Sequence, residues 1–330
     1  MLPDGLDGIL RGEVEILLAS LADNTRFCDL VKEALNKTHP NLTKDTAQYK
    51  PWPLLPLLVC DAICGSWKQA LPATAALPLM KAAANVFDDI EDADNAESVP
   101  AKYGIALASN AASVLVVLAE KGITRLKDSG VKSDTVVKLI DTVNSYYAKA
   151  CIGQHLDLSL MPEERTQEGA YLKLIGMKSA FAAECACYTG ALLAGADQGL
   201  INLFTTFGYN LGMAAQIAND IRDITGLRDI NNRKITLSVI FALGQADEAR
   251  ELLKSAFFKN KGEFKIAPGQ IKDLKYERIL TDIWGFEYRD EKKLVHAIVR
   301  RLREKIEAHP KQPSYIIAIS GVGYRFKEIP

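Results

Sequence analysis

The stretch Ala82-Ala83-Ala84-Asn85-Val86-Phe87-Asp88-Asp89-Ile90-Glu91-Asp92 decides the fold. An apolar, helix-like run passes straight into a cluster of acids. On a helix, Asp88 and Asp92 lie four apart and share one face. A second run repeats the pattern about 130 residues later, where Met213–Ala218 leads into Asn219-Asp220-Ile221-Arg222-Asp223. Asn219 and Asp223 share a face in the same way. Carboxylates turned inward from an apolar helix are costly unless they are paired or bound to a metal. Two such helices facing each other would make a cage of hard oxygen ligands. That cage suits Mg²⁺, which takes one or two carboxylates and leaves its other positions to water and phosphate oxygens. Either cluster alone would read as a solvated acidic turn. Their joint occurrence, each behind an apolar helix, raises the metal reading; such a site could hold a diphosphate and make it a better leaving group. If that diphosphate leaves an allylic hydrocarbon, a carbocation forms in an apolar tunnel, where aromatic faces can stabilise it.

Bulk properties fit a soluble globular protein of one large or two ordinary domains. The chain has 330 residues, 48% hydrophobic and 25% charged. The net charge of −1 is unevenly spread. Residues 264–330 hold 14 Lys and Arg against 9 Asp and Glu, so the body is acidic and the tail basic. A basic tail points to an anionic partner. The start, MLPDGLDGIL, lacks the charged and apolar segments of a signal peptide. The apolar stretches are interrupted before 18 residues, so no membrane span is expected. Six cysteines in so long a chain do not form a disulfide framework. Cys60/Cys64 and Cys185/Cys187 read as buried thiols, and a cytoplasmic location is expected.

From residue 7 to about 259 apolar residues recur at three- and four-residue spacing. Helices are expected over 8–22, 27–36, 54–65, 74–92, 104–122, 133–160, 168–193, 200–224 and 235–243. Many are alanine-rich without a polar stripe, as in a large all-α core. Pro100 and residues 226–233 interrupt the pattern after each acidic cluster. Gln154 and Asp157 fall on the long helix 133–160, Lys178 on 168–193, and Lys234 after the second cluster. Near Gly262 the character changes. Residues 271–284 and 292–307 read as amphipathic helices, the second strongly basic. Residues 315–319 and 324–326 flank the turn Ser320–Gly323 as a hairpin.

Residues 1 to about 250 resemble the trans-polyprenyl diphosphate synthases, which share their fold with class I terpene synthases. The resemblance rests on DDIED at 88–92, GQHLDL at 153–158, YLKLIGMKS at 171–179, QIANDIRDI at 216–224 and RKITL at 233–237. It implies an all-α bundle around a central cavity. It implies two or three Mg²⁺ ions held by Asp88, Asp92, Asn219 and Asp223, with Asp89 and Asp220 as supporting catalytic acids. Lys178 and Lys234 would grip the diphosphate, and Gln154 and Asp157 would line the cavity. Ala83, Ala84 and Phe87 would line the tunnel. Small side chains there imply an allylic prenyl diphosphate of fifteen carbons or more, and Ala83→Phe should shorten it. A homodimer is the usual assembly of the family.

Two departures matter. Elongating members carry Gly-Lys-x-x-Arg where this chain has Gln48-Tyr49-Lys50-Pro51-Trp52. They also carry an Arg-Arg pair where this chain has Glu97-Ser98. Both motifs hold diphosphates, chiefly that of isopentenyl diphosphate. Their loss favours one-substrate ionisation, followed by cyclisation or elimination, over ordinary prenyl transfer. The tail resembles the winged-helix output domain of OmpR-type response regulators through DIWGFEY at 282–288, IVRRLREKIE at 298–307 and SYIIAISGVGYRF at 314–326. That implies a small α+β domain over 264–330, after a synthase-like domain over 1–259. Its recognition helix would enter the major groove of duplex DNA, with Arg300, Arg301, Arg303 and Arg325 as contacts. The alternatives are a DNA-binding regulator whose helical body senses a prenyl diphosphate, and a non-elongating subunit of a heteromeric synthase.

Overall fold

The computed structural model describes residues 5–43, 52–93, 95–160, 167–225, 234–244, 254, 300, 309, 311–313, 316–319 and 323–326. The side chains of 221–225, 238, 241–242, 316–319 and 323–326 lie outside that description. The helices are α1 (Leu6–Leu18), α2 (Thr25–Thr38), α3 (Leu55–Cys64), α4 (Leu71–Asp92), α5 (Val99–Tyr103) and α6 (Ile105–Thr124). They continue with α7 (Ser133–Ser159), α8 (Glu168–Lys178), α9 (Phe181–Leu193), α10 (Gln198–Thr225) and α11 (Leu237–Gly244). Strands β1 (Ile316–Ile319) and β2 (Gly323–Phe326) form an antiparallel hairpin pairing Ile316 with Phe326 and Ile319 with Gly323. This is the hairpin expected from the glycine turn. The tail helices expected over 271–284 and 292–307 lie outside the described residues, apart from Arg300.

The chain divides into two compact units. The first comprises residues 1–158 and 174–213, the second 159–173 and 214–330. In the first unit α4 is the central helix, packed on α6 and flanked by α1 and α2, while α3 lies against α9. Leu10, Leu18, Leu35, Leu57, Leu79, Leu115 and Leu139 are fully buried between these helices. Burying each such side chain contributes about 1.5–3 kcal/mol before the entropy of ordering it is set against it. Alanines fill the rest of the core: Ala73, Ala76, Ala82 and Ala83 on α4 oppose Ala108, Ala111, Ala112 and Ala119 on α6, all essentially without exposure. Short side chains bring the helix axes close.

Helix boundaries follow local chemistry. Asn24 caps α2 by accepting the Phe27 N–H, 3.1 Å away. Pro100 begins a helix rather than breaking one, which corrects the expectation for that residue. It sits in the first turn of α5, where a missing N–H costs nothing, and Ser98 caps that turn through the Ala101 N–H at 3.3 Å. The single helix expected over 168–193 is two, α8 and α9. The N–H groups of Ser179 and Ala180 both donate to the Ile175 carbonyl, at 2.9 and 3.0 Å. That wide last turn ends α8 and redirects the chain. Against the expectation of no membrane-length segment, the helices Lys68–Asp92 and Ile105–Lys127 are long and apolar enough to cross a membrane by length and composition alone. The first is mostly buried inside the fold, which is why it is so apolar.

The α3–α9 crossing depends on Gly190. A Cβ built there would lie 2.5 Å from the Pro56 carbonyl oxygen and 2.8 Å from the Val59 Cβ. Gly190→Ala should therefore lower the unfolding free energy by about 1–3 kcal/mol. Thermal melting of the purified chain checks this; an unchanged Tm would mean that α3 and α9 do not meet so closely.

Candidate active site

Helix α4 carries Asp88, Asp89, Glu91 and Asp92 in its final turns and no basic residue there. The C-terminal end of a helix is its negative pole, so each acid is opposed by about 0.3–1 kcal/mol. The helix stops at Ala93, which takes φ 52°, ψ 27°, and whose N–H returns to the Asp89 carbonyl. That left-handed cap usually belongs to glycine, and alanine adopts it at a cost of about 1 kcal/mol. Asn95 then donates its side-chain amide to Asp89 Oδ1 at 3.3 Å.

The offsetting charge comes from α8. Lys178, its last residue, places Nζ 2.8 Å from Asp88 Oδ1 and 2.7 Å from Asp157 Oδ2 on α7. Burial by itself would lower the lysine's affinity for its proton. The carboxylates of Asp88 and Asp157 outweigh burial and hold it above its ordinary value. Gln154, also on α7, donates Nε2 to Asp92 Oδ1 at 3.3 Å. So Asp88, Asp92, Gln154, Asp157 and Lys178 come together within the first unit; Asn219, Asp223 and Lys234, expected in the same site, belong to the second unit. The residue that lets the first five meet was not singled out in the sequence. A Cβ on Gly153 would come within 2.5 Å of the Lys178 backbone nitrogen and 2.9 Å of its Cα. Glycine is what permits α7 and α8 to touch there. Its place beside Gln154 was the available signal.

Gln154 Oε1 is buried without a hydrogen-bond partner, and Asp88 Oδ1 is held by Lys178 Nζ. A hard cation such as Mg²⁺ would fit beside the Asp92 carboxylate and Gln154 Oε1 by taking the Asp88 oxygen from that lysine. Among the described residues no three His, Cys, Asp or Glu side chains gather closely enough to define a site unaided. Ala83, expected to line the tunnel, is sealed in the core, whereas Ala84 and Phe87 keep part of their surface open. Position 84 is thus the one from which a larger side chain would reach open space.

The second cluster lies in the second unit. There Asn219 is exposed and Asp220 is buried. Asp220 accepts hydrogen bonds from the Tyr171 hydroxyl and, at 2.9 Å, from Gln216 Nε2. Asp220 thus braces α10 against the start of α8. Asp223 lies on α10, its side chain outside the description, and Lys234 is half-buried. At the positions of the missing arginines, Glu97 is exposed and its carbonyl accepts from Lys37 Nζ, while Ser98 serves the α5 cap. Residues 48–51 lie outside the described set. In the tail, Arg300 is helical and exposed, Arg325 lies on β2, and Arg301 and Arg303 are outside the described residues.

Comparison with known proteins gives the class. The polyprenyl synthetase family matches residues 52–274, and the transcriptional regulatory protein C-terminal family matches 268–326. The chain belongs to the polyprenyl synthetase family, with a tail of the second kind. It is 31% identical over 218 residues to the geranylgeranyl diphosphate synthase of Sulfolobus acidocaldarius, covering 62% of this chain and 66% of that protein. It is 30% identical over 210 residues to that of Mycobacterium tuberculosis, covering 59% of each. The chain thus spans less than two thirds of either relative. Its fold matches the polyprenyl synthetase of Streptomyces coelicolor with TM-score 0.66 at 19% identity, over 87% of this chain and 94% of that one. It also matches a geranylgeranyl pyrophosphate synthase of Corynebacterium glutamicum, solved with isoprenyl diphosphate and magnesium. There the TM-score is 0.67 at 20% identity, over 92% and 93% of the two chains.

Lys178→Met removes the cation that Asp88 and Asp157 share. Both carboxylates are partly exposed, so solvent screening limits the loss to about 1 kcal/mol without metal. Millimolar Mg²⁺ should then raise the variant's Tm more than the wild type's, because the ion no longer competes with the lysine. Equal Mg²⁺-induced shifts would refute that competition.

Proposed function

We propose that the chain is a magnesium-dependent isoprenyl diphosphate synthase that ionises an allylic prenyl diphosphate and extends it with isopentenyl diphosphate. The observation that carries this reading is the Asp88–Lys178–Asp157 arrangement beside Asp92 and Gln154. Asp88 and Asp92 would hold magnesium, with Asn219 and Asp223 of the second cluster as further ligands. Bound magnesium neutralises the diphosphate and makes it a better leaving group. Lys178 would pass from Asp88 to a diphosphate oxygen, and Lys234 would grip the same group. Asp89 and Asp220 act by holding their neighbours, through Asn95 and Tyr171 respectively. The allylic carbon–oxygen bond breaks and the diphosphate departs with the electron pair. The double bond of isopentenyl diphosphate captures the cation, and a proton is then shed. The half-open ring of Phe87, one residue before Asp88, can face the developing cation. The small Ala84 leaves room for a substrate of fifteen carbons or more. A homodimer, the usual assembly of the family, would cover some of the exposed apolar side chains Ile105, Leu107 and Val117 of α6 and Val137 of α7.

The names of the relatives favour elongation over the one-substrate cyclisation to which the missing arginines pointed. Cyclisation stays as a second reading for one reason, the exposed Glu97 carboxylate, which repels a second diphosphate. Lys37, bound to the Glu97 carbonyl, supplies a compensating cation at that edge. The tail match supports duplex DNA as a further partner through Arg300, Arg301, Arg303 and Arg325.

Incubation with Mg²⁺ and farnesyl diphosphate, with and without labelled isopentenyl diphosphate, separates these readings by mass spectrometry. Longer diphosphates are expected. Hydrocarbons or alcohols from farnesyl diphosphate alone would replace elongation with cyclisation. No turnover together with salt-sensitive duplex binding would instead indicate a regulator. Asp88→Asn and Asp92→Asn should each lower turnover by about a hundredfold or more. Ala84→Phe should shorten the products by at least one five-carbon unit.

A further inference from the structure

The pair Cys60 and Cys64 takes no part in the diphosphate site. The two lie four apart on α3, so their side chains share a face. Only Cys60 is buried and Cys64 is exposed, which corrects the expectation that both are sealed in the core. Their Sγ atoms approach to 3.9 Å. Both aim at one acceptor, the Ser66 carbonyl oxygen, 3.1 Å from Cys60 and 3.2 Å from Cys64. Gln69 closes the group. Its Nε2 lies 3.7 Å from each sulfur and donates at 2.7 Å to the carbonyl of Leu193, the last residue of α9. Cys64 ends α3, and the final turn of that helix holds no basic residue. A helix terminus of that kind is a negative pole, and Asp61 adds a carboxylate to it. The place favours a cation.

We propose that Cys60, Cys64 and the Ser66 carbonyl form a site for a thiophilic divalent ion, Zn²⁺, that fastens the end of α3 to the end of α9. Two Zn–S bonds of about 2.3 Å at a tetrahedral angle span about 3.8 Å, close to the separation of the two sulfurs. A disulfide fits less well. Side chains four apart on a helix hold their Cβ atoms about 5–6 Å apart, whereas a disulfide needs about 3.5–4.5 Å. Joining the sulfurs directly would unwind the last turn of α3; an ion bridges them where they stand. Each thiol releases its proton to solvent as it binds, and two thiolates with Zn²⁺ leave no net charge beside the buried Cys60. Burial, with Cys64 next to it, pushes the Cys60 thiol up to about 12, so only an ion with high affinity for thiolate displaces that proton. The Ser66 carbonyl then loses its thiol donors and takes the ion in their place. Among the described residues no third His, Cys, Asp or Glu joins the pair, and the exposed side at Cys64 leaves the fourth position to water. The Gln69 amide, already facing both sulfurs, donates to the thiolates while keeping hold of Leu193. That shared amide is what couples the ion to α9.

The test uses the reduced, chelator-treated 330-residue chain and the variants Cys60→Ser, Cys64→Ser, Gln69→Leu and Cys151→Ser. Zn²⁺ affinity is measured by competition with a chromophoric indicator, and Cd²⁺ is added separately to reveal sulfur ligation by its ultraviolet charge-transfer band. Cys60→Ser and Cys64→Ser should each weaken Zn²⁺ binding by about a hundredfold or more, and Gln69→Leu by about tenfold. Cys151→Ser should bind as the wild type does. Zn²⁺ at a hundredfold excess over its Kd should raise the wild-type Tm by about 5 °C and leave that of Cys64→Ser unchanged. If Cys60→Ser does not fold, Cys64→Ser decides alone, because that side chain is at the surface. Equal Zn²⁺ affinity in Cys64→Ser and the wild type would overturn the proposal, as would Cd²⁺ binding without the sulfur band. A Cys60–Cys64 disulfide that forms in air at unchanged Tm would also overturn it, since the sulfurs would then meet without unwinding α3. None of these readouts depends on prenyl diphosphate turnover, so the outcome stands whatever the reaction proves to be.

Discussion

Negative charge gathered at the negative pole of a helix has to be offset. That constraint organises the first unit of this protein. Four acids end α4, no basic residue shares their turn, and the chain leaves through a left-handed alanine. Each element of that arrangement costs stability. Lys178 offsets part of it, and its position is itself constrained. It must end α8, α8 must touch α7, and the touch is possible only because residue 153 has no side chain. The packing that positions the site and the electrostatics that require it are one arrangement seen at two scales.

Much of this was legible in the sequence. The two acidic runs, the helical character of the body and the hairpin of the tail follow from spacing and composition. Gln154, Asp157 and Lys178 were picked out as supporting groups, and they meet around Asp88 and Asp92. What escaped the sequence depended on long-range contacts. Nothing local in residues 168–193 marks the break at Ser179 and Ala180, where one carbonyl serves two N–H groups. Periodicity alone reads Pro100 as a breaker because it ignores the special tolerance of a first turn. Asp220 and Asn219 look interchangeable in a string of letters. One is buried against Tyr171 and the other exposed, a difference of only about 100° around the helix.

The chain joins two families that do different chemistry. The polyprenyl synthetase match ends at residue 274 and the regulatory match begins at 268. The two therefore meet within seven shared residues, with no independent linker between the matched segments. Basic residues concentrate in the tail, which is net positive, while the body is net negative. Under the proposed function, that polarity would suit a small diphosphate met by the body and a polyanion met by the tail.

Glycine spacing on α10 has a mechanical consequence. A Cβ on Gly208 would come within 2.4 Å of the Ala183 carbonyl, and one on Gly212 within 2.7 Å of the Ala180 Cα. The two glycines are one turn apart and face α9 and the chain entering it. They act as notches. Sliding or rotating that segment by a single residue would drive a side chain into the opposing backbone, so its register is discrete. A one-residue insertion or deletion between 208 and 212 would not be absorbed as a small adjustment; it would unseat the helix.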